Sequence, residues 1–183
     1  MRPLVWLLLL AMIAAPGIVG AQPAKAPTAA AKVQTAVVTM ESGGEITLEF
    51  WPDVAPNHVK NFTELAGKGF YDGQRVHRVE PKFVVQFGDP LSKTASMDDP
   101  RMGSGGSGKT LKAEFNKKPF DRGVLGMART NDPDSASSQV YIMLGDSHFL
   151  NGQYTAFGKV TKGIEVVDKI KVGDRIKSIK VTN

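Results

Sequence analysis

The chain has 183 residues, enough for one domain with an extension, and its 42% hydrophobic and 22% charged content is ordinary for a globular protein. It contains no cysteine, which excludes disulfides, thiolate chemistry, iron–sulfur clusters and cysteine-bound zinc. The net charge of +5 is scattered, with no basic run longer than a pair; it describes a solvated surface and points to no nucleic-acid partner.

Residues 1–21 read as an export signal. Arg2 supplies the positive start, Leu4 to Ala15 the apolar core, and Val19-Gly20-Ala21 the small residues before a cleavage point at Gln22. That core is shorter than the roughly 20 residues needed to span a bilayer, and Pro16 and Gly17 interrupt it. An uncleaved anchor fits the length and flanks less well. The reading is an exported, periplasmic protein with no stable membrane insertion once the signal is removed. Residues 22–32 (QPAKAPTAAAK) are Pro- and Ala-rich without apolar periodicity and read as a flexible spacer. The folded domain is then 33–183.

Within it, Val37 to Met40, a Glu41-Ser42-Gly43-Gly44 turn and Glu45 to Phe50 form strand, turn, strand, with Ile46, Leu48 and Phe50 inward. A helix follows from Ala55 to Gly67, with Pro56 in its first turn and Val59, Phe62, Leu65 and Ala66 in one apolar stripe. Asn61-Phe62-Thr63 matches a glycosylation pattern, but Phe62 lies on that stripe. Val76 to Asp89 reads as two strands joined by a Glu-Pro-Lys turn. Pro90 to Lys109 is a long irregular segment of the kind that carries function or moves. Strands resume over Gly123–Ala128, Gln139–Leu144 and Tyr154–Val160, then a short helix over Ile164–Ile170 and a last strand over Asp174–Val181. Many strands and only two helices make the chain mainly β, a closed or nearly closed antiparallel barrel.

Several motifs fail for want of context. Gly103 to Thr110 (GSGGSGKT) satisfies the phosphate-loop pattern, but Asp98-Asp99-Pro100-Arg101 before it is no buried strand and Lys117-Lys118-Pro119 closes any following helix. His58, His77 and His148 share no ligand spacing, so no metal site is expected, and His77 reads as a satisfied core histidine. Ser-His-Asp hydrolysis lacks a nucleophile elbow, and no paired catalytic carboxylates stand out.

What remains is the Val76–Asp89 hairpin, whose Arg78 and Gln86 a strand does not need for its own stability. A half-buried hairpin with a solvated outer face would account for them alone. The order of segments, however, resembles a cyclophilin-type peptidyl-prolyl isomerase over nearly the whole domain. The matching pieces are Asn61-Phe62, Gly69-Phe70-Tyr71-Asp72-Gly73, Val76-His77-Arg78-Val79, Phe83 to Asp89, the Gly103–Phe115 loop and Gly123 to Ala128. Ser138-Gln139-Val140-Tyr141-Ile142, Phe149-Leu150-Asn151-Gly152 and Phe157-Gly158-Lys159-Val160 complete the series. Each fragment alone is weak; their joint order is specific.

The resemblance implies a closed eight-stranded antiparallel barrel capped by two α-helices, with a groove on its outside for proline-containing polypeptides and no cofactor. It makes Arg78, Phe83 and Gln86 the catalytic set. Phe83, Val84, Tyr141 and Leu150 line the pocket with Phe149 at its rim, and Ala128 and Arg129 lie where the residue before proline is held. Gln139 and Tyr154 complete the substrate-binding residues. The Gly-rich loop becomes a groove wall. Strand alternation puts Phe83 and Gln86 on opposite faces, so both serve one groove only if the strand bends or Phe83 sits at its start.

Four positions depart from the best-known pattern of the family. Phe149 stands for a Trp, which implies weak or no cyclosporin binding; Tyr154 stands for a His, Arg129 for an Asn and Val84 for a longer Met. A non-catalytic peptide-binding module or chaperone on the same fold is the rival reading. Arg78 argues against it, since binding alone needs no donor at the prolyl nitrogen. The N-terminal reading is checked by the intact mass of exported protein, which is expected to correspond to a chain beginning at Gln22; a mass retaining Met1 to Ala21 would contradict it.

Overall fold

The computed structural model describes residues 34–182, so the signal and spacer assigned to 1–32 lie outside the described residues. The first strand, β1 (Thr35–Met40), pairs antiparallel with β2 (Glu45–Phe50), with Ala36 opposite Leu48 and Val38 opposite Ile46. Every second residue of each is buried, as the alternation demands. Helix α1 (Pro56–Gly67) follows, then β3 (Arg78–Glu80), β4 (Val84–Phe87), β5 (Val124–Met127), β6 (Val140–Met143), β7 (Ala156–Lys162), α2 (Ile164–Val167) and β8 (Ile176–Thr182). The last helix is one turn shorter than its periodicity suggests, although Ile170 still reaches the core.

All eight strands belong to one antiparallel sheet, ordered β3-β4-β6-β5-β7-β2-β1-β8. The ladder does not close. The expected closed barrel is corrected to a curled half-barrel, because β3 has only three residues and finds its partner in β4 alone. Its far edge meets the chain before β8 through one bridge, Arg75 to Arg175, and turn bonds such as Val76 N–H to the Asp174 carbonyl at 2.8 Å.

The inside of the curl is filled by α1. Phe62 lies 5.4 Å from Phe50, 5.0 Å from Tyr71 and 5.8 Å from Phe157, ring centre to ring centre, at the middle of an aromatic core. Asn61, in the glycosylation pattern, is buried, and its amide donates to the Ser137 carbonyl at 2.8 Å.

The strands β4, β6 and β5 are buried on both faces. Val85, Phe87, Val140, Ile142, Leu125 and Met127 point into the main core. Val84, Tyr141, Met143 and Val124 point the other way, into a second apolar cluster with Phe120, Leu150 and Ala156. An antiparallel sheet needs only one buried face, so this second cluster is the structural sign of a site on the convex side.

Gly126 fixes the depth of that cluster. It pairs with Tyr141 across the β5–β6 ladder, and a Cβ on it would lie 2.1 Å from Tyr141 Cζ. The phenol ring therefore lies flat over a strand position that has no side chain. Gly126→Ala is expected to cost about 2 kcal/mol through overpacking and to displace Tyr141; denaturant unfolding would measure it, and an unchanged midpoint would show that the ring moves freely.

Candidate functional site

The convex side of β4–β6–β5 carries a cavity of about 300 Å³ lined by Arg78, Phe83, Val84, Gln86, Ala128, Arg129, Tyr141, Phe149, Leu150 and Tyr154. Ten of the residues singled out in the sequence thus meet in one place. Register explains how: Arg78 faces Gln86 across β3–β4, and Gln86 faces Tyr141 across β4–β6. Phe83 escapes the alternation problem because it precedes β4, in a turn where Lys82 adopts φ +62°. The bent turn lets Phe83 share the groove with Gln86. Phe83 stacks on Phe149 at 5.8 Å, and Phe149, two-thirds exposed, forms the outer lip.

The floor is aromatic. Phe120, not foreseen from the sequence because it lies in an irregular segment, stacks under Tyr141 at 6.0 Å, and Tyr154 meets Tyr141 edge-on at 6.2 Å. Burial pushes the Tyr141 hydroxyl well above its ordinary pKa, so it stays a neutral apolar wall at physiological pH.

Arg78 stands at the edge of this floor. Its Nη1 donates to Gln86 Oε1 at 3.3 Å, its Nε lies 3.5 Å from Glu80 Oε1, and its Cζ lies 5.8 Å from the Phe83 ring centre. Among the described residues Nη2 has no hydrogen-bond partner. Gln86 Nε2 donates to Gln139 Oε1 at 2.9 Å, and Gln139 Nε2 donates to the carbonyls of Gly103 and Gly105 at 2.8 and 2.7 Å. The two glutamines form a relay from the Gly-rich loop to the guanidinium. Gln139, the one expected binding residue that does not line the first cavity, lines an adjoining one of about 550 Å³. The larger cavity shares Gln86, Ala128 and Arg129 with the first.

The Gly-rich loop is held from behind by Asp89, fully buried, whose Oδ2 accepts from the amides of Gly103 and Gly105 at 2.6 and 3.2 Å. Its amides are thus turned toward a fixed carboxylate. No helix follows Thr110, so the phosphate-binding context is absent. His77 lies half-buried behind Gly103, and neither ring nitrogen sits in hydrogen-bond geometry with a neighbour, which corrects the satisfied core histidine expected from the sequence. Burial lowers its pKa against the opposing pull of the Asp89 carboxylate. Among the described residues, Asp121, Asp146 and His148 bring donor atoms within 4.8 Å of one another, all exposed, a convergence their spacing did not reveal.

The family model for cyclophilin type peptidyl-prolyl cis-trans isomerase/CLD matches residues 35–183. The chain belongs to the cyclophilin family. A probable peptidyl-prolyl cis-trans isomerase of Brucella abortus is 45% identical over 157 residues, covering 84% of this chain and 80% of that protein. Peptidyl-prolyl cis-trans isomerase B of Bacillus subtilis is 38% identical over 151 residues, covering 81% of this chain and 99% of that one. A crystal structure of a cyclophilin type isomerase from Cryptosporidium parvum superposes with a TM-score of 0.71 at 26% identity, over 82% of this chain and 98% of that chain. The same cyclophilin in the presence of the dipeptide Ala-Pro superposes with a TM-score of 0.70 at 25% identity, over 81% of this chain and 99% of that chain.

In this cyclophilin the segment that follows the Gly-rich loop is tied to α1 by a pair of which His58 is buried and Glu114 half-buried. Glu114 Oε2 accepts from the His58 amide at 3.0 Å and meets His58 Nδ1 at 2.6 Å, while Oε1 accepts from the Asn57 amide and side chain at 3.1 and 2.7 Å. A carboxylate distant in sequence thus caps a helix whose own N-cap, Ala55, offers no side-chain acceptor. The next residue, Phe115, lies 6.0 Å beneath the Arg129 guanidinium.

Burial lowers the His58 pKa against the pull of Glu114, so the ring is neutral and donates from Nδ1. Burial alone would raise Glu114, but the hydrogen bonds from His58 and Asn57 together hold it below its ordinary value. The signs agree. The unfolded chain binds the histidine proton more readily below about pH 6.5, so the His58 and His77 contributions are complete above that pH and fade below it. The Glu114 contribution persists above its ordinary value of 4.5 and is lost as pH falls through its lowered folded one. The thermal midpoint is expected to be flat above about pH 7 and to fall in two stages on acidification; a midpoint level from pH 7 to pH 5 would contradict a buried neutral His58.

Proposed function

We propose that the chain accelerates cis/trans rotation of X-Pro bonds in exported proteins, with Arg78 donating a hydrogen bond to the prolyl nitrogen. Rotation has a barrier of about 20 kcal/mol because the amide nitrogen shares its lone pair with the carbonyl. In the twisted state that lone pair is localised and the nitrogen becomes an acceptor, so a fixed cationic donor beside it stabilises the transition state over either planar isomer. No nucleophile or cofactor enters this scheme. The proline ring rests on Phe83, Val84, Tyr141 and Leu150, with Phe149 at the rim, in a cavity of about 300 Å³.

The observation that carries the reading is the state of Arg78. It is half-exposed at the cavity edge and positioned by Gln86, and its Nη2 is uncommitted. Arginine stays protonated throughout the physiological range, and its planar fork is preorganised by a neutral amide that takes nothing from its charge. Gln86 is in turn held by Gln139, so the donor meets the substrate with little reorganisation to undergo. The export part of the proposal rests on the N-terminal sequence, and so does a periplasmic setting. The uncatalysed step takes tens of seconds or more, slow enough to limit the folding of newly exported chains.

Exchange spectroscopy on an X-Pro peptide, with binding measured in parallel, tests the role of Arg78. Arg78→Ala is expected to lower kcat/KM by about 10²–10³-fold, as loss of one preorganised donor does elsewhere, with a much smaller loss of affinity. Equal turnover by both proteins would contradict the mechanism. A loss of affinity as large as the loss of rate would favour the rival reading of a peptide-binding module.

A further inference from the structure

We infer that the larger cavity selects substrates carrying an acidic side chain two residues before the proline. The inference rests on the isomerase reading above and names the substrates that its groove prefers.

The two cavities share Gln86, Ala128 and Arg129, so an extended chain leaving the proline pocket across Ala128 enters the larger one. In the register that the family resemblance implies, the residue before proline lies over Ala128. One further residue advances about 3.3 Å and turns its side chain the other way, over the Gly-rich loop.

Among the described residues, Lys109 and Arg129 are the only charged ones lining that cavity, and the remainder of its wall is glycine, hydroxyl and amide apart from Ala128. Arg129 is fixed but electrostatically unpaired. Its Nε and Nη2 donate to the Gln153 carbonyl at 3.2 and 2.9 Å, Nη1 donates to the Thr130 carbonyl at 2.8 Å, and the guanidinium lies 4.4 Å over the Tyr154 ring. All these partners are neutral. Lys109 has its backbone pinned by Ser137 Oγ, which donates to its carbonyl at 2.7 Å. Neither cation takes part in any ion pair among the described residues.

The neighbouring carboxylates are engaged elsewhere. Asp89, behind the glycine wall, accepts from the amides of Leu91, Gly103 and Gly105. Asp134 accepts from the Ala113 amide and Asp132 from the Asp134 amide, both at 2.9 Å. None of the three lines the cavity. Two cations without a counter-charge in one concave site fit an anionic side chain and repel a cationic one.

The test uses three peptides identical except for Glu, Ala or Lys at the second position before proline, with both exchange rate and affinity measured by NMR. The expected order is Glu, Ala, Lys, with about a three- to fivefold span in kcat/KM at low salt that narrows in about 0.5 M salt. Arg129→Gln is expected to shrink the Glu-to-Lys ratio, and Lys109→Glu to abolish or invert it. Equal rates for the Glu and Lys peptides, or an unchanged ratio in Lys109→Glu, would overturn the inference and leave the isomerase reading intact. Absence of exchange with every peptide would instead overturn the isomerase reading, and the affinity ranking would then decide the charge preference by itself.

Discussion

Strand alternation on β4, β6 and β5 is the constraint on which everything else depends. A residue at i points into the main core and its neighbour at i+1 points out toward a second cluster. The inward set builds the main core. The outward set, freed from that task, builds the groove. Because the side-chain period is two, a slip of one residue between β4 and β6 would exchange the two sets, putting Gln86 into the core and Val85 into the site. The register that stabilises the fold is thus the register that assembles the site.

On that platform the polar parts are ordered by neutral partners. Arg78 is oriented by Gln86, Gln86 by Gln139, and Gln139 by carbonyls of the Gly-rich loop, while Asp89 grips the loop through its amides. Amides orient a guanidinium without quenching its charge, whereas a carboxylate in the place of Gln86 would compete for the same donors. Glu80, the acidic partner of Arg78 among the described residues, is half-exposed and 3.5 Å away, where solvent screens the pair. The proposed mechanism needs a donor that is both fixed and unspent, and this arrangement meets both needs.

The groove walls come from segments without regular structure. Glu114 caps α1 from a distance and is followed at once by Phe115 beneath Arg129, so the helix also anchors the segment behind that cavity-lining arginine. The other wall, Gly103 to Lys109, has neither helix nor strand, yet it is tied at Asp89, Gln139 and Ser137. Rigidity there comes from side chains far away in sequence, which is why a local pattern such as the apparent phosphate loop misleads.

Much was legible in the chain alone. Alternation in Glu45–Phe50, the apolar stripe on α1 and the β-branched runs around Val85 and Val140 determined the strands, the helices and which residues face inward, because those periodicities are local properties of backbone geometry. The joint order of short segments marked the family and ten of the residues that line the first cavity. Only the tertiary structure decided that the strand ladder stays open between β3 and β8, and that Phe83 reaches the groove from a turn with a left-handed residue. It likewise decided that Gln139 is hydrogen-bonded to Gln86, that Phe120 underlies Tyr141, and that Lys109 and Arg129 share a cavity. Each of these depends on contacts between segments well separated in the chain, where periodicity carries no information and only packing sets the distance.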